Sequence, residues 1–182
     1  DYHPTQTNNL HMDINNLIEN YKAFFSDLLH RLKKTGINIK GMHLTHLLYR
    51  TTTIQEYKKL RDQLRIFCKE FVETQFNGRA VSILILKKPL ELEGGFTVSV
   101  IELPAPRPIH MYPSGLESIG ILVGKILPKF KKQYKDVLTG IKDHGPHCQP
   151  AFITFENNKT VKFYDIHLKE IVILQGWIFE ES

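Results

Sequence analysis

Long hydrophobic runs are missing from this chain. No apolar stretch in its 182 residues approaches the length needed to cross a bilayer, so no membrane-spanning helix and no membrane partner is expected. Cysteine is scarce. Cys68 and Cys148 lie far apart, which excludes a disulfide-stapled scaffold, fits a reducing compartment and makes the cytoplasm the expected location. A strong charge bias is also lacking: 24 Lys and Arg face 19 Asp and Glu, a formal net charge of +5. Lys129, Lys131, Lys132 and Lys135 gather on one predicted helix. Without an interleaved aromatic platform or a nucleic-acid motif they read as a solvated helix face, so no nucleic-acid partner is expected. There is no phosphate-cradling glycine loop, no nucleophile elbow and no paired-cysteine zinc site, which disfavours nucleotide and serine hydrolysis and indicates no organic cofactor. No signal peptide is visible. The chain starts at Asp1 rather than at an initiator Met, which leaves open an upstream segment since removed.

What is present is enough for one core. Apolar residues make up 42% of a length that suits one domain or two small fused modules. Residues 1–11 are polar, lack periodicity and are expected to be loose. Ile14, Leu17, Tyr21, Phe25, Leu28 and Leu32 then recur at helical spacing, predicting one long amphipathic helix from Asp13 to a Gly36 cap. A strand is expected over 44–50. Thr53 and Glu56 have the spacing of a capping box and open a second helix, whose apolar stripe runs Tyr57, Leu60, Leu64, Phe67 and Phe71 and carries Cys68 as a buried thiol. Strands follow near 72–75, 80–87 and 96–103. The order then repeats, with a strand at 118–123, a helix over 127–139, strands near 151–156 and 160–165, and one candidate within 141–149. Residues 168–174 read as a closing helix or strand.

One residue stands out chemically. Glu102 ends an apolar strand, among Val98, Val100 and Leu103. A carboxylate there costs on the order of several kcal/mol unless a cation, a metal or strong donors meet it. His46 and Arg50 share one face of the first strand, since side chains alternate with period two. Either could meet Glu102, and Arg50 could equally hold an anionic substrate. Arg79, after Asn77-Gly78, reads as a turn residue in a structural salt bridge. Glu117 points away from its neighbour Ser118 unless the strand is bulged. His144, Gly145, Pro146, His147 and Cys148 look like a metal cluster but are more simply a flexible loop, and His43 reads as a strand-start residue. His3, His11, His30, His110 and His167 read as surface or loop residues.

Thr-His-Leu-Leu-Tyr-Arg at 45–50, Asn-Gly-Arg at 77–79, Ile-Glu-Leu-Pro at 101–104, Gly-Leu-Glu-Ser-Ile at 115–119, Thr-Val-Lys-Phe at 160–163 and Lys-Glu-Ile-Val at 169–172 form an ordered set. From about Ile14 to Gly176 the chain resembles the YecM family of bacterial proteins, which has the vicinal-oxygen-chelate fold of glyoxalase I and extradiol dioxygenases. The resemblance implies an α+β fold: two tandem βαβββ modules, 41–105 and 115–176, forming a curved mixed sheet around a cleft. Residues 1–40 supply a tail and an extra N-terminal amphipathic helix packed on that single domain, 41–182.

In this fold metal ligands come from the first and last strands of each module. The matching positions here are His46, Glu102, Ser118 and Tyr164, the last two where relatives carry His. Imidazole and carboxylate suit zinc, nickel, iron or manganese, whereas Ser and Tyr hydroxyls are poor ligands. The resemblance therefore implies a small-molecule cleft with His46 and Glu102 as metal ligands and Arg50, Ser118 and Tyr164 as cleft or substrate residues. Two readings stay open. One is a weakly metal-binding protein related by fold to isomerases and dioxygenases. The other is a non-catalytic binding or interaction module with a degenerate metal site. Substrate, reaction and oligomeric state do not follow from the sequence.

Overall fold

The computed structural model describes residues 13–109 and 111–182. The expectation for residues 1–11, and those for His3, His11 and His110, lie outside them.

The N-terminal helix is broken where the sequence suggested continuity. A single turn, α1 (Asn15–Ile18), is followed by α2 (Tyr21–Thr35). Glu19 takes a left-handed φ of 64°, and the Asn20 side chain accepts a hydrogen bond from the Ala23 amide at 3.1 Å. Asparagine competes well for that capping role, so the local cap wins over continued periodicity. Asp13 caps α1 instead, through the Asn15 amide. Gly36 ends α2 in the left-handed region, as expected.

Next come β1 (His43–Arg50), α3 (Ile54–Arg65), β2 (Cys68–Phe76), β3 (Arg79–Glu91) and β4 (Thr97–Pro104). Helix α3 stops at Arg65, so Cys68 and Phe71 belong to a strand and not to the helical stripe. Phe71, Val72 and Thr74 favour a pleated surface, and β2 takes them. Cys68 is nonetheless fully buried. The capping box is half formed. Thr53 Oγ1 accepts from the Glu56 amide, but the Glu56 carboxylate reaches the amide of Thr52 instead.

The second half supplies β5 (Gly115–Leu122), α4 (Leu127–Gln133), β6 (Gly140–Ile141), β7 (Ala151–Thr154), β8 (Thr160–Tyr164) and α5 (Leu168–Leu174). A final strand, β9 (Glu180–Glu181), pairs with β2 and had no signal in the sequence.

The strands form one nine-stranded sheet in the order β6-β7-β8-β5-β1-β4-β3-β2-β9. Its two halves repeat one rule. β1 pairs parallel with β4, then antiparallel pairs lead to β3 and β2. β5 likewise pairs parallel with β8, then antiparallel pairs lead to β7 and β6. The antiparallel β1–β5 ladder fuses the halves. The fold is therefore α+β with a mixed, curved sheet built from two βαβββ units.

Helices α2, α3 and α4 bury Phe25, Leu28, Leu60, Leu64 and Phe130 against one face, together with Leu47, Ile101, Ile119 and Phe163. The opposite face carries a smaller apolar strip, Val72, Val81, Ile83 and Val100, covered by Leu168 and Val172 of α5. The rest of that face is open and forms the cleft.

Candidate functional site

Strand parity decides what enters the cleft. On β1, His46, Leu48 and Arg50 point one way. Leu48 pairs with Glu102 on β4 and with Ser118 on β5, and Ser118 pairs with Thr160 on β8, so all four face the same side. Lys162 and Tyr164 follow Thr160 at period two on β8. The result is a cavity of about 330 Å³ walled by both halves of the sheet and by α5.

The floor centres on Glu102. His46 is fully buried, with Nε2 3.3 Å from Glu102 Oε2. That contact is short enough for an ion pair but off the line of a hydrogen bond, and Nε2 makes none. The other ring nitrogen, Nδ1, is bonded to Thr45 Oγ1. Burial holds the imidazole well below its ordinary pKa, and the nearby Lys162 and His167 add to this. It is therefore neutral near pH 7. Placing its proton on Nε2 keeps a ring lone pair from facing the carboxylate. The ring of Tyr164 packs edge-on against His46 at 5.3 Å. Burial, with Glu102 and Cys148 nearby, raises its phenol pKa well above 10, so it stays protonated.

His46 fits because its neighbour on β5 is Gly120. A Cβ there would lie 2.5 Å from His46 Cε1 and closer still to Thr45 Oγ1. Ser118 is also buried beneath the floor, 1% exposed, with Oγ unpartnered and no share of the cavity wall.

The walls are cationic. Arg50 bonds Glu117 through Nε at 2.8 Å and Nη2 at 3.2 Å, and its guanidinium sits 4.5 Å from the ring centre of Tyr112. Glu117 reaches inward because the β1–β5 register shifts between Leu48 and Tyr49, which is the bulge its orientation required. Arg79 donates to the Ala105 carbonyl at 3.4 Å and forms no ion pair among the described residues, so the expected structural salt bridge is corrected: Arg79 lines the cavity. Burial lowers the Arg79 pKa, and Arg50 and Arg107 push the same way. Arg107, Lys142 and Lys162 join the wall, and burial also lowers Lys162. His144 and Cys148 line the cavity too, so part of the 144–148 run is wall and not merely loop. His144 packs edge-on against Phe76 at 5.4 Å.

The fold's ligand positions do not make a complete metal site. His46 Nε2 and Glu102 Oε2 have a spacing one ion could bridge, but Ser118 and Tyr164 offer hydroxyls, and the next wall groups are cations. Among the described residues no group of three or more His, Cys, Asp or Glu could hold an ion. This donor set does not fit a tightly held divalent metal.

A sheet in which two βαβββ units enclose one cleft, with the ligand positions on their first and last strands, defines the vicinal-oxygen-chelate class. The chain belongs to the YecM protein family, whose model matches residues 13–148. A solved structure described as "Structural Genomics, Protein EC4020" superposes with a TM-score of 0.63 at 22% identity, over 91% of this chain and 99% of that one. More distant similarities extend to a mutant of 4-hydroxymandelate synthase from Streptomyces coelicolor, with TM-score 0.32, 12% identity and coverage of 75% of this chain and 56% of that one. The fosfomycin resistance protein FosX from Mesorhizobium loti gives 0.26 at 12% identity, over 75% and 99%. No curated protein matches the chain.

Proposed function

We propose that this protein is a binding module for a small, oxygen-rich anionic molecule, held in the cleft by guanidinium groups. The observation that carries the reading is a set of buried donors without acceptors: Arg50 Nη1, Arg79 Nε and Arg107 Nε. A buried, unpaired guanidinium N–H costs on the order of 1–3 kcal/mol or more, so its retention in a concave wall argues for an acceptor supplied by a ligand. Arginine's planar fork suits carboxylate and phosphate oxygens in particular. Zinc, nickel, iron or manganese has no part in this reading, because two good donors seldom hold a divalent ion firmly. A cytoplasmic setting accords with the two free, buried thiols. Among the described residues no helix is long and apolar enough to cross a membrane. Membrane and nucleic acid have no role in the reading.

Thermal unfolding at matched ionic strength tests it. Citrate and sulfate should raise Tm in a saturable way relative to chloride. The Arg79→Met, Arg107→Met double variant should lose that rise. An equal response in wild type and variant would remove the basis of the proposal.

A further inference from the structure

The cleft's cations fall into two groups with a carboxylate between them. Arg79 opens β3, Arg107 follows β4 and Arg50 ends β1, so the first half of the sheet supplies an arginine pole. Lys162 on β8 and Lys142 beyond β6 form a lysine pole in the second half. Lys162 and Arg50 stand on strands separated only by β5, and Lys162 lies level with His46, four residues along β1 from Arg50. Glu102 lies between the poles. Its charge is felt by Arg79 on one side and by Lys162 and His144 on the other.

Neither pole is fully neutralised from within. Glu117 is taken up by Arg50. Among the described residues Arg79, Arg107, Lys142 and Lys162 form no ion pair. Lys142 instead sits 4.5 Å from the ring centre of Phe152. A single anionic group can satisfy one pole but leaves the other bare. It also cannot sit over the middle, where Glu102 repels it. A hydrogen-bond donor there meets a carboxylate acceptor. The cavity, about 330 Å³, is at the small end of ligand sites.

Building on the anion-binding reading, we infer that the ligand is a small molecule with two acidic groups flanking a hydroxyl or amine. One acidic group meets the arginine pole and the other the lysine pole, while the central donor faces Glu102. Dicarboxylates and phosphate esters of hydroxy acids share this chemistry.

Calorimetric titration with matched probes tests it. Malate and 3-phosphoglycerate, each with two acidic groups flanking a hydroxyl, represent the two sources, and the phosphate gives the second of them the higher charge. 3-Hydroxybutyrate removes one acidic group, and succinate removes the hydroxyl. The dianion of the correct source should bind at least about tenfold more tightly than 3-hydroxybutyrate, the worth of one charge-assisted contact. Lys162→Met should bring the affinity for the dianion down to about that of 3-hydroxybutyrate for wild type, and an undiminished affinity for the dianion would overturn the inference. Glu102→Gln should abolish the preference for malate over succinate. Equal affinity for dianions and the monoanion would overturn this inference while leaving the anion-binding reading intact. No binding of any probe, with no stabilisation by citrate or sulfate, would overturn both.

Discussion

Two polar clusters flank the same β3 strand and differ in one respect. On its helix-covered face, Tyr57 donates to Glu73 Oε2 at 2.7 Å and lies 2.6 Å from Ser82 Oγ, while Arg61 Nη1 reaches the same Glu73 oxygen at 2.8 Å. Each of these charges has its counterpart. On the cleft face, Arg79 and Arg107 keep buried Nε donors with no acceptor, and only Arg50 has a carboxylate. An arginine is paired on one side of the sheet, and arginines are left open on the other. A closed network stabilises a fold. An open one is a cost the fold carries, and such costs cluster where a ligand completes the set. This difference is what supports the anion-binding reading.

The contrast can be broken from either side. Gly120→Ala should be the most damaging change, because its Cβ would collide with the Thr45 and His46 side chains under the cleft floor. Overpacking there should cost about 3 kcal/mol in urea unfolding and should also displace His46 from Glu102. Tyr57→Phe opens the closed cluster by leaving Ser82 without its phenolic partner. A loss of about 2 kcal/mol with anion stabilisation intact is expected. A loss of anion response in that variant would mean that the two faces are coupled.

Acid should weaken the fold next. Burial lowers His46, His144 and His167 below their ordinary range, so between the folded and unfolded values the unfolded chain binds more protons. Stability is then complete above about pH 6.5 and falls as pH drops below it, by up to about 1.4 kcal/mol per pH unit for each such histidine. Urea midpoints at pH 7.5 and 5.5, for wild type and His46→Gln, check this. The variant should show the shallower slope. Glu102→Gln should matter less, under about 1 kcal/mol, because its neighbour His46 is neutral and the carboxylate is partly solvated, its side chain 19% exposed.

The sequence made the strands and their parity legible because apolar and β-branched runs mark them directly. It misjudged α2 and α3, where a local cap at Asn20 and the sheet's claim on Cys68 to Thr74 overrode helical spacing. β9 is two glutamates on an edge strand, with no pattern to read. Parity and resemblance pointed to Arg50, Glu102 and Tyr164, which line the cavity, and to His46, which is fully buried behind Glu102. Lys162 was within reach of the same argument, two positions before Tyr164 on one strand. Arg107, Lys142 and His144 come from loops, where no periodicity says which way a side chain points. The bulge that turns Glu117 inward is likewise a property of the β1–β5 register and not of either strand alone.

Urea unfolding of wild type and Arg79→Met, each without and with citrate, tests the central claim most directly. If the cleft arginines are held for a ligand, the variant without citrate should be no less stable than wild type, since a buried donor lacking an acceptor has been removed. Citrate should then stabilise wild type and leave the variant unmoved. A variant destabilised by more than about 1 kcal/mol without citrate, and still responsive to it, would contradict the account and make Arg79 a structural residue.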